Sequence, residues 1–300
     1  MDLKQMRYFL AVAEEQNFGR AAQRLHMTQP PLTRHIRALE DELGTALFVR
    51  TSKGAELTDA GRTLLAEVPN ILTLTRLATE QTQLAGRGLL GRLDVGIFTS
   101  GILHVIPQLL ATFHTARPGV TIGLHNLSKA DQIEALRERR ITIGFNRYVP
   151  PEDDIVVETV LRERFIVALH EDHPLAHNDV VRLRDLEGEP MILYPNASLY
   201  GLAQAVTDAF ADENVTLVAE QEVEDVVTAI GLAASRFGIC ITTASAANLR
   251  LPGLTYRPLD SDRLRYIDLN CLYRVGDTTP ILLAFLEVVR AFRADSEGHT

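Results

Sequence analysis

Cysteine is scarce in this chain: two in 300 residues, Cys240 and Cys271. Two are too few for a disulfide framework, and their spacing fits no zinc site, so both are expected as reduced, buried thiols. No run of about 18 apolar residues exists, which excludes a bilayer-spanning helix. The N-terminus, MDLKQMRYFLAVAEEQ, interrupts its apolar residues with charges, so a cytoplasmic chain without a signal peptide is expected. Catalytic signatures are missing too. There is no Gly-x-Ser-x-Gly elbow, His-Glu-x-x-His pair, Walker loop or strand-linked Gly-x-Gly-x-x-Gly, so no enzyme, cofactor or metal is expected. His170, His173 and His177 flank Pro174 amid acidic residues and read as a solvated turn, not a ligand set.

The remaining composition is that of a folded protein. The apolar fraction is 46% and the charged fraction 23%, which excludes a disordered chain. At about 100–200 residues per domain the length suggests two or three units. Net charge is −9, which alone argues against nucleic acid. Its distribution argues the reverse. Residues 1–58 carry +1 and the rest −10, and residues 18–37 hold Arg20, Arg24, Arg34 and Arg37 with no acid. Phosphate contact needs local positive charge, not a basic whole chain.

Helical periodicity runs through 3–15, with Leu3, Met6, Phe9, Leu10 and Ala13 on one face. Asn17 caps FGRAAQRL, and small Ala21 and Ala22 permit close helix approach. After His26-Met27, Thr28 caps QPPLTRHIRALEDEL, whose stripe is Leu32, Ile36, Leu39 and Leu43. Pro30 and Pro31 fall in its first turn, where a missing N–H has no helical partner to lose. Gly44 stops it. ALFVRTSKGAELT then reads as two strands around Ser52-Lys53-Gly54. This is a winged helix-turn-helix, expected over 1–58.

Residues 59–91 form a linker: one long helix from the Thr58 cap to about 88, with Leu64, Leu65, Val68, Ile71, Leu72, Thr75 and Leu84 at three-four spacing. Such a stripe between domains suggests pairing with another chain. Pro69 should kink it at a cost of about 3 kcal/mol. Gly86, Gly88 and Gly91 mark a hinge. From Arg92 onward strands and helices alternate, implying a mainly parallel sheet with helices on both faces. The expected domain spans 92–300, with lobe I at 92–162 plus 268–300, lobe II at 163–267, and a cleft between them.

The residues Ala21-Ala22, Leu25, Thr28-Gln29-Pro30-Pro31-Leu32-Thr33, Ile36, Leu39-Glu40, Leu43-Gly44, Leu47-Phe48, Arg50 and Leu57-Thr58-Asp59-Ala60-Gly61 resemble the N-terminal signature of LysR-type transcriptional regulators. RYFLAVAEEQNF with QPPLTRHIRALE is similar to the branch controlling benzoate, catechol, chlorocatechol and muconate catabolism. The likeness is sharpest through about residue 65. It implies an α/β chain with an N-terminal winged helix-turn-helix, a dimerising linker helix and a two-lobed periplasmic-binding-protein-like effector domain. It also implies an activator, a homotetramer built as a dimer of dimers, a partly palindromic promoter operator in double-stranded DNA, and RNA polymerase as a further candidate partner. The expected DNA-binding set is Arg20, Gln29, Pro30, Pro31, Thr33, Arg34, Arg37, Arg50 and Lys53, with Gln29, Thr33 and Arg34 on base edges and Arg50 and Lys53 on phosphate or in the minor groove.

For the effector, strand ends come first. Ligands of open α/β sheets sit past the carboxyl ends of strands, near helix N-termini. Three such ends offer Thr99 and Ser100, then Ser128, then Arg147, a donor set suited to a carboxylate. The resemblance implies the same Ser100, Ser128 and Arg147, adds Tyr200 as an aromatic of the second lobe, and places Thr99 and Pro195 beside them. It implies an aromatic acid or a ring-cleavage product such as muconate. The plainer alternatives are helix caps for the two serines, a surface crossover for Arg147 and a core position for Tyr200. A solute-binding or enzymatic α/β protein with a helical dimerisation arm is the alternative function.

Overall fold

A computed structural model describes residues 1–51, 54–195 and 199–297. Its contacts divide the chain into two units, Met1–Leu84 and Ala85–Thr300.

The first unit opens with α1 (Leu3–Glu15), α2 (Phe18–Arg24) and α3 (Gln29–Leu43). Asn17 caps α2 by accepting from the backbone N–H groups of Gly19 and Arg20. Ala21 and Ala22 are buried against the other helices, and Phe9, Leu32, Ile36 and Leu39 complete the core. Leu43 departs from its expected place in that stripe: it ends the helix 40% exposed. Thr28 departs as well. It holds the N-cap position but makes no side-chain cap bond. The reason is chemical, because a cap accepts from the second or third N–H of a helix and those positions here are Pro30 and Pro31.

Strands β1 (Phe48–Thr51) and β2 (Gly54–Leu57) pair antiparallel, Phe48 opposite Leu57 and Arg50 opposite Ala55. The Glu40 carboxylate accepts from the N–H groups of Leu47 and Phe48 and so fixes the entry of the wing. The other end is pinned on α1, where Ala55 N–H donates to the Gln16 carbonyl. Gly54, at φ +139°, lies so close that a Cβ would come within 2.3 Å of that carbonyl oxygen.

Helix α4 (Asp59–Gly86) starts at Thr58, whose hydroxyl accepts from Gly61 N–H. It continues through Pro69 as one helix. Val68 is buried, and Leu64, Leu65, Ile71 and Leu72 pack on the N-terminal core. Farther along, Leu74, Leu77 and Leu84 stand exposed. After α4, Gly88 sits at φ +66° with the Pro280 carbonyl oxygen 2.8 Å from where a Cβ would be.

The second unit runs β3 (Gly91–Ile97), α5 (Val105–Ala116), β4 (Val120–Asn126), α6 (Lys129–Arg137), β5 (Ile143–Asn146), β6 (Ile155–His170), β7 (Val181–Arg182), β8 (Pro190–Leu193), α7 (Leu202–Asp212), β9 (Val218–Glu222), α8 (Val226–Ala234), β10 (Cys240–Thr243), β11 (Leu254–Asp260), β12 (Tyr266–Arg274) and α9 (Pro280–Glu297). Short 3-10 turns cover Thr99–Leu103, Pro174–His177, Leu183–Leu186 and Ala244–Asn248. Both cysteines are reduced and buried.

The expected mainly parallel sheet is corrected to a mixed one. The order is β4-β3-β5-β12-β6-β11-β7, with β10 also on β6. β3 is parallel to β4 and β5, whereas β12 is antiparallel to both β5 and β6. β6 is also antiparallel to β10 and β11. The long pair β6–β12 joins two hydrophobic cores. Val160 and Leu269 belong to the first, with Val95, Phe113, Phe145 and Phe285; Phe165 and Ile267 belong to the second, with Leu193, Phe210 and Ile230. The chain thus passes between lobes at about Glu163 and Ile267, and α9 returns to the first core.

Candidate effector cavity and DNA-binding face

The N-terminal half of α3 presents Gln29, Pro30 and Arg34 exposed, Pro31 and Thr33 half-buried, and Arg37 exposed one turn on. The buried Leu32, Ile36 and Leu39 force this face outward. Arg20 is exposed on α2, but its guanidinium is paired with Glu15 of α1, and Arg24 pairs with Glu14 and Glu15. The acid-free stretch in sequence is therefore partly neutralised in space, leaving the positive charge of α3 to Arg34 and Arg37. Arg50 lies on β1; its side chain, like the whole of Lys53, is outside the described residues.

In the second unit a cavity of about 520 Å³ opens between the lobes. Thr99, Ser100, Ser128, Arg147 and Pro195 all line it. Thr99 and Ser100 come from the 3-10 turn after β3, Ser128 from the cap of α6, and Arg147 from the end of β5. Ser128 is engaged in its cap: its hydroxyl accepts from Asp131 N–H and donates to the Asp131 carboxylate at 2.6 Å. Arg147 is 8% exposed and forms a buried ion pair with Glu163, whose second oxygen accepts from Ser245 N–H at 2.9 Å. The guanidinium carbon lies 6.0 Å from the Phe98 ring centre. Among the described residues its Nε and Nη1 are buried without a hydrogen-bond partner, an arrangement that costs roughly 1–3 kcal/mol per group until something accepts from it.

Tyr200 is placed otherwise than expected. It is 47% exposed and lies outside the cavity wall, and its hydroxyl donates to Asp208 at 3.0 Å. Its ring meets Tyr148 edge to face, centres 5.3 Å apart. The aromatic walls are Phe98, Tyr148 and Tyr194. Burial raises the Tyr194 phenol well above its ordinary value, and its hydroxyl is bonded to Thr242. Tyr148 is pushed up to about 12 by burial. Sequence reasoning also missed Asn126, Glu224, Asp225, Thr243 and, most notably, Lys129. Lys129 directly follows Ser128, so the strand-end argument that found the serine passed beside it.

The description "Bacterial regulatory helix-turn-helix protein, lysR family" matches residues 3–62, and "LysR substrate binding domain" matches residues 86–294. The chain belongs to the LysR family of transcriptional regulators. The regulator is 37% identical over 289 residues to the HTH-type transcriptional regulator ClcR of Pseudomonas putida, covering 96% of this chain and 98% of ClcR. It is 34% identical to BenM of Acinetobacter baylyi over 86% of each chain. Among solved structures, full-length CbnR complexed with its target DNA matches with TM-score 0.88 at 32% identity, over 98% of this chain and 100% of CbnR. The BenM effector binding domain with its effector benzoate matches with TM-score 0.63 at 29% identity, over 70% and 95% of the two chains. The regulator is a DNA-binding protein and not an enzyme, which sets aside the solute-binding or enzymatic alternative. Among its described residues no helix is long and apolar enough to cross a membrane.

Proposed function

We propose that the regulator is a cytoplasmic, ligand-responsive activator whose effector is a small carboxylate, an aromatic acid or a ring-cleavage product such as muconate. The observation that carries this reading is the cavity itself. It lies where three strand ends meet the second lobe, is walled by aromatic rings, and is lined by a buried guanidinium with unsatisfied nitrogens. Benzoate in the BenM effector domain supports the chemical class. Thr99, Ser100, Ser128, Arg147 and Pro195 form the proposed effector wall, and Tyr200 supports it from outside.

On DNA, Gln29, Thr33 and Arg34 read base edges. Arg37, Arg20, Arg50 and Lys53 meet phosphate or the minor groove, and Pro30 and Pro31 fix the shape of the approaching turn. The exposed Leu74, Leu77 and Leu84 of α4 support pairing of linker helices. A homotetramer, a dimer of dimers, then faces a partly palindromic operator, because protein two-fold symmetry is mirrored in half-sites. RNA polymerase is the further partner of an activator. The domain reading is 1–58 for DNA, 59–91 for the linker and 92–300 for the effector.

Thermal-shift screening with benzoate, muconates and other aromatic acids tests the effector class, since a ligand of the native state raises its stability. A rise for at least one acid, absent in Arg147→Met, is expected. No shift with any of them would overturn the assignment.

A further inference from the structure

Only three of the thirty Lys and Arg residues of this chain are lysines: Lys4, Lys53 and Lys129. The last is the sole lysine beyond the wing, and it lines the effector cavity. It occupies the first position of α6, in lobe I. Its ammonium donates to the Tyr148 carbonyl at 2.9 Å and to the Tyr200 carbonyl, 71 residues away in lobe II. The rings of the same two tyrosines meet edge to face. Lobe I and lobe II are therefore tied at this rim of the cavity by one side chain and one ring contact.

The charge on Lys129 has an unusual setting. Among the described residues both of its hydrogen-bond partners are backbone carbonyls, and no carboxylate is paired with it. Arg147, the other cation lining the cavity, already faces Glu163 across a buried ion pair. The two cations thus differ in what they offer a ligand. Arg147 brings unsatisfied N–H groups but a compensated charge. Lys129 brings a charge that no carboxylate pairs among the described residues, although Glu224 and Asp225 line the same cavity. A half-buried ammonium in that state is costly unless an anion arrives.

We propose that Lys129 is the charge-bearing contact for the effector's anionic group and the clasp that ties the two lobes at the cavity rim. This rests on reading the cavity as the effector site. An entering carboxylate competes with a backbone carbonyl for the ammonium, so occupancy and the state of the clasp are linked.

Lysine also makes the claim testable in a way arginine would not. Burial pushes its ammonium down to about 8. The other charged or titratable groups at this rim are Arg147 with Glu163, Glu224, Asp225, the α6 residue Asp131 held by Ser128, and Asp208 held by Tyr200. Tyr148, Tyr194 and Tyr200 are all raised above the ordinary phenol value.

The experiment uses the full-length chain and two probes, benzoate and cis,cis-muconate, titrated calorimetrically between about pH 7 and about pH 9.5, where a lysine shifted this far changes charge. Wild type should lose up to about tenfold in affinity per pH unit above about 8, as the ammonium discharges. Lys129→Met should bind at least about tenfold more weakly at pH 7, with a flat profile. Lys129→Arg should recover much of the affinity and stay flat, because a guanidinium keeps its proton. Wild-type affinity in Lys129→Met, or a pH profile that survives in Lys129→Arg, would overturn the charge contact.

The clasp has a ligand-free arm. Lys129→Met should raise amide exchange at least about tenfold around Tyr148 and residues 199–201, with β3 unchanged. Exchange equal to wild type would overturn the clasp. If neither probe binds even wild type, the effector class fails and this exchange arm still decides on the clasp. Loss of binding in Arg147→Met with wild-type behaviour in Lys129→Met would keep the cavity and refute the role given to Lys129.

Discussion

Arg147 and Glu163 are both less than one-tenth exposed, and each depends on the other. Removing one partner of such a pair leaves an uncompensated buried charge, at a cost of about 3–5 kcal/mol. Glu163→Gln keeps an acceptor for Ser245 N–H but abandons the guanidinium. Its denaturant midpoint should fall accordingly, and a midpoint equal to wild type would mean water already solvates Arg147. Lys129 gives a pH signature of the opposite sense to a paired lysine. Its folded value, about 8, lies below the ordinary lysine value near 10.4. Between those values the unfolded chain binds more protons, so this group makes stability rise with pH there, and the penalty is fully present below about 8. The difference in thermal stability between wild type and Lys129→Met should therefore shift in favour of wild type from pH 8 to pH 10. On the DNA side, Arg34→Ala should cost about 1–3 kcal/mol if it makes a bidentate base contact, and relax one operator position. Gel shifts on operator variants check this; unchanged affinity and selectivity would place the recognition face elsewhere.

At the scale of elements, the wing depends on one glycine. A Cβ at Gly54 would meet the Gln16 carbonyl at 2.3 Å, so Gly54→Ala should detach the wing from α1 and lower both melting temperature and DNA affinity. Operator affinity equal to wild type would show that the wing adds nothing. Much of this unit was legible in the sequence, because caps, small residues and apolar spacing act locally. The missing Thr28 cap could have been read as well, since two prolines in the first turn remove the donors a cap needs. The second unit was harder. The first half of β6, IVVETVLRE, hides its alternation because an inward position is taken by Glu163, a charge made tolerable by Arg147, sixteen residues earlier, and by the Ser245 N–H. β11 carries Pro258, which argues against a strand, yet that residue pairs with Ile166 of β6. Long-range partners supply what the local pattern withholds. For the same reason the strand-end rule found Thr99, Ser100, Ser128 and Arg147 but not Tyr194, Thr243 or Glu224, which reach the cavity from the other lobe. Tyr200 was named from resemblance alone, and its neighbours turned it to the rim.

In the whole molecule a DNA-binding unit is joined to the unit proposed above to sense a carboxylate. Light scattering at micromolar concentration should give a tetramer, and Leu77→Lys, which puts charge on the exposed stripe of α4, should reduce it to smaller species. A strictly monomeric wild type would remove the pairing role. A ligand shifts the equilibrium between lobe arrangements only by its differential affinity for them; a 10–100-fold preference supplies about 1.4–2.7 kcal/mol, enough to alter DNA bending without release. The most direct test is a nuclease footprint on the protein's own upstream DNA, titrated with benzoate and cis,cis-muconate, for wild type and Arg147→Met. Both proteins should protect the same operator, and the acid should change the length or the hypersensitive sites of the wild-type footprint only. A footprint in Arg147→Met that responds at the same acid concentration, or a wild-type footprint that responds to neither acid, would contradict it.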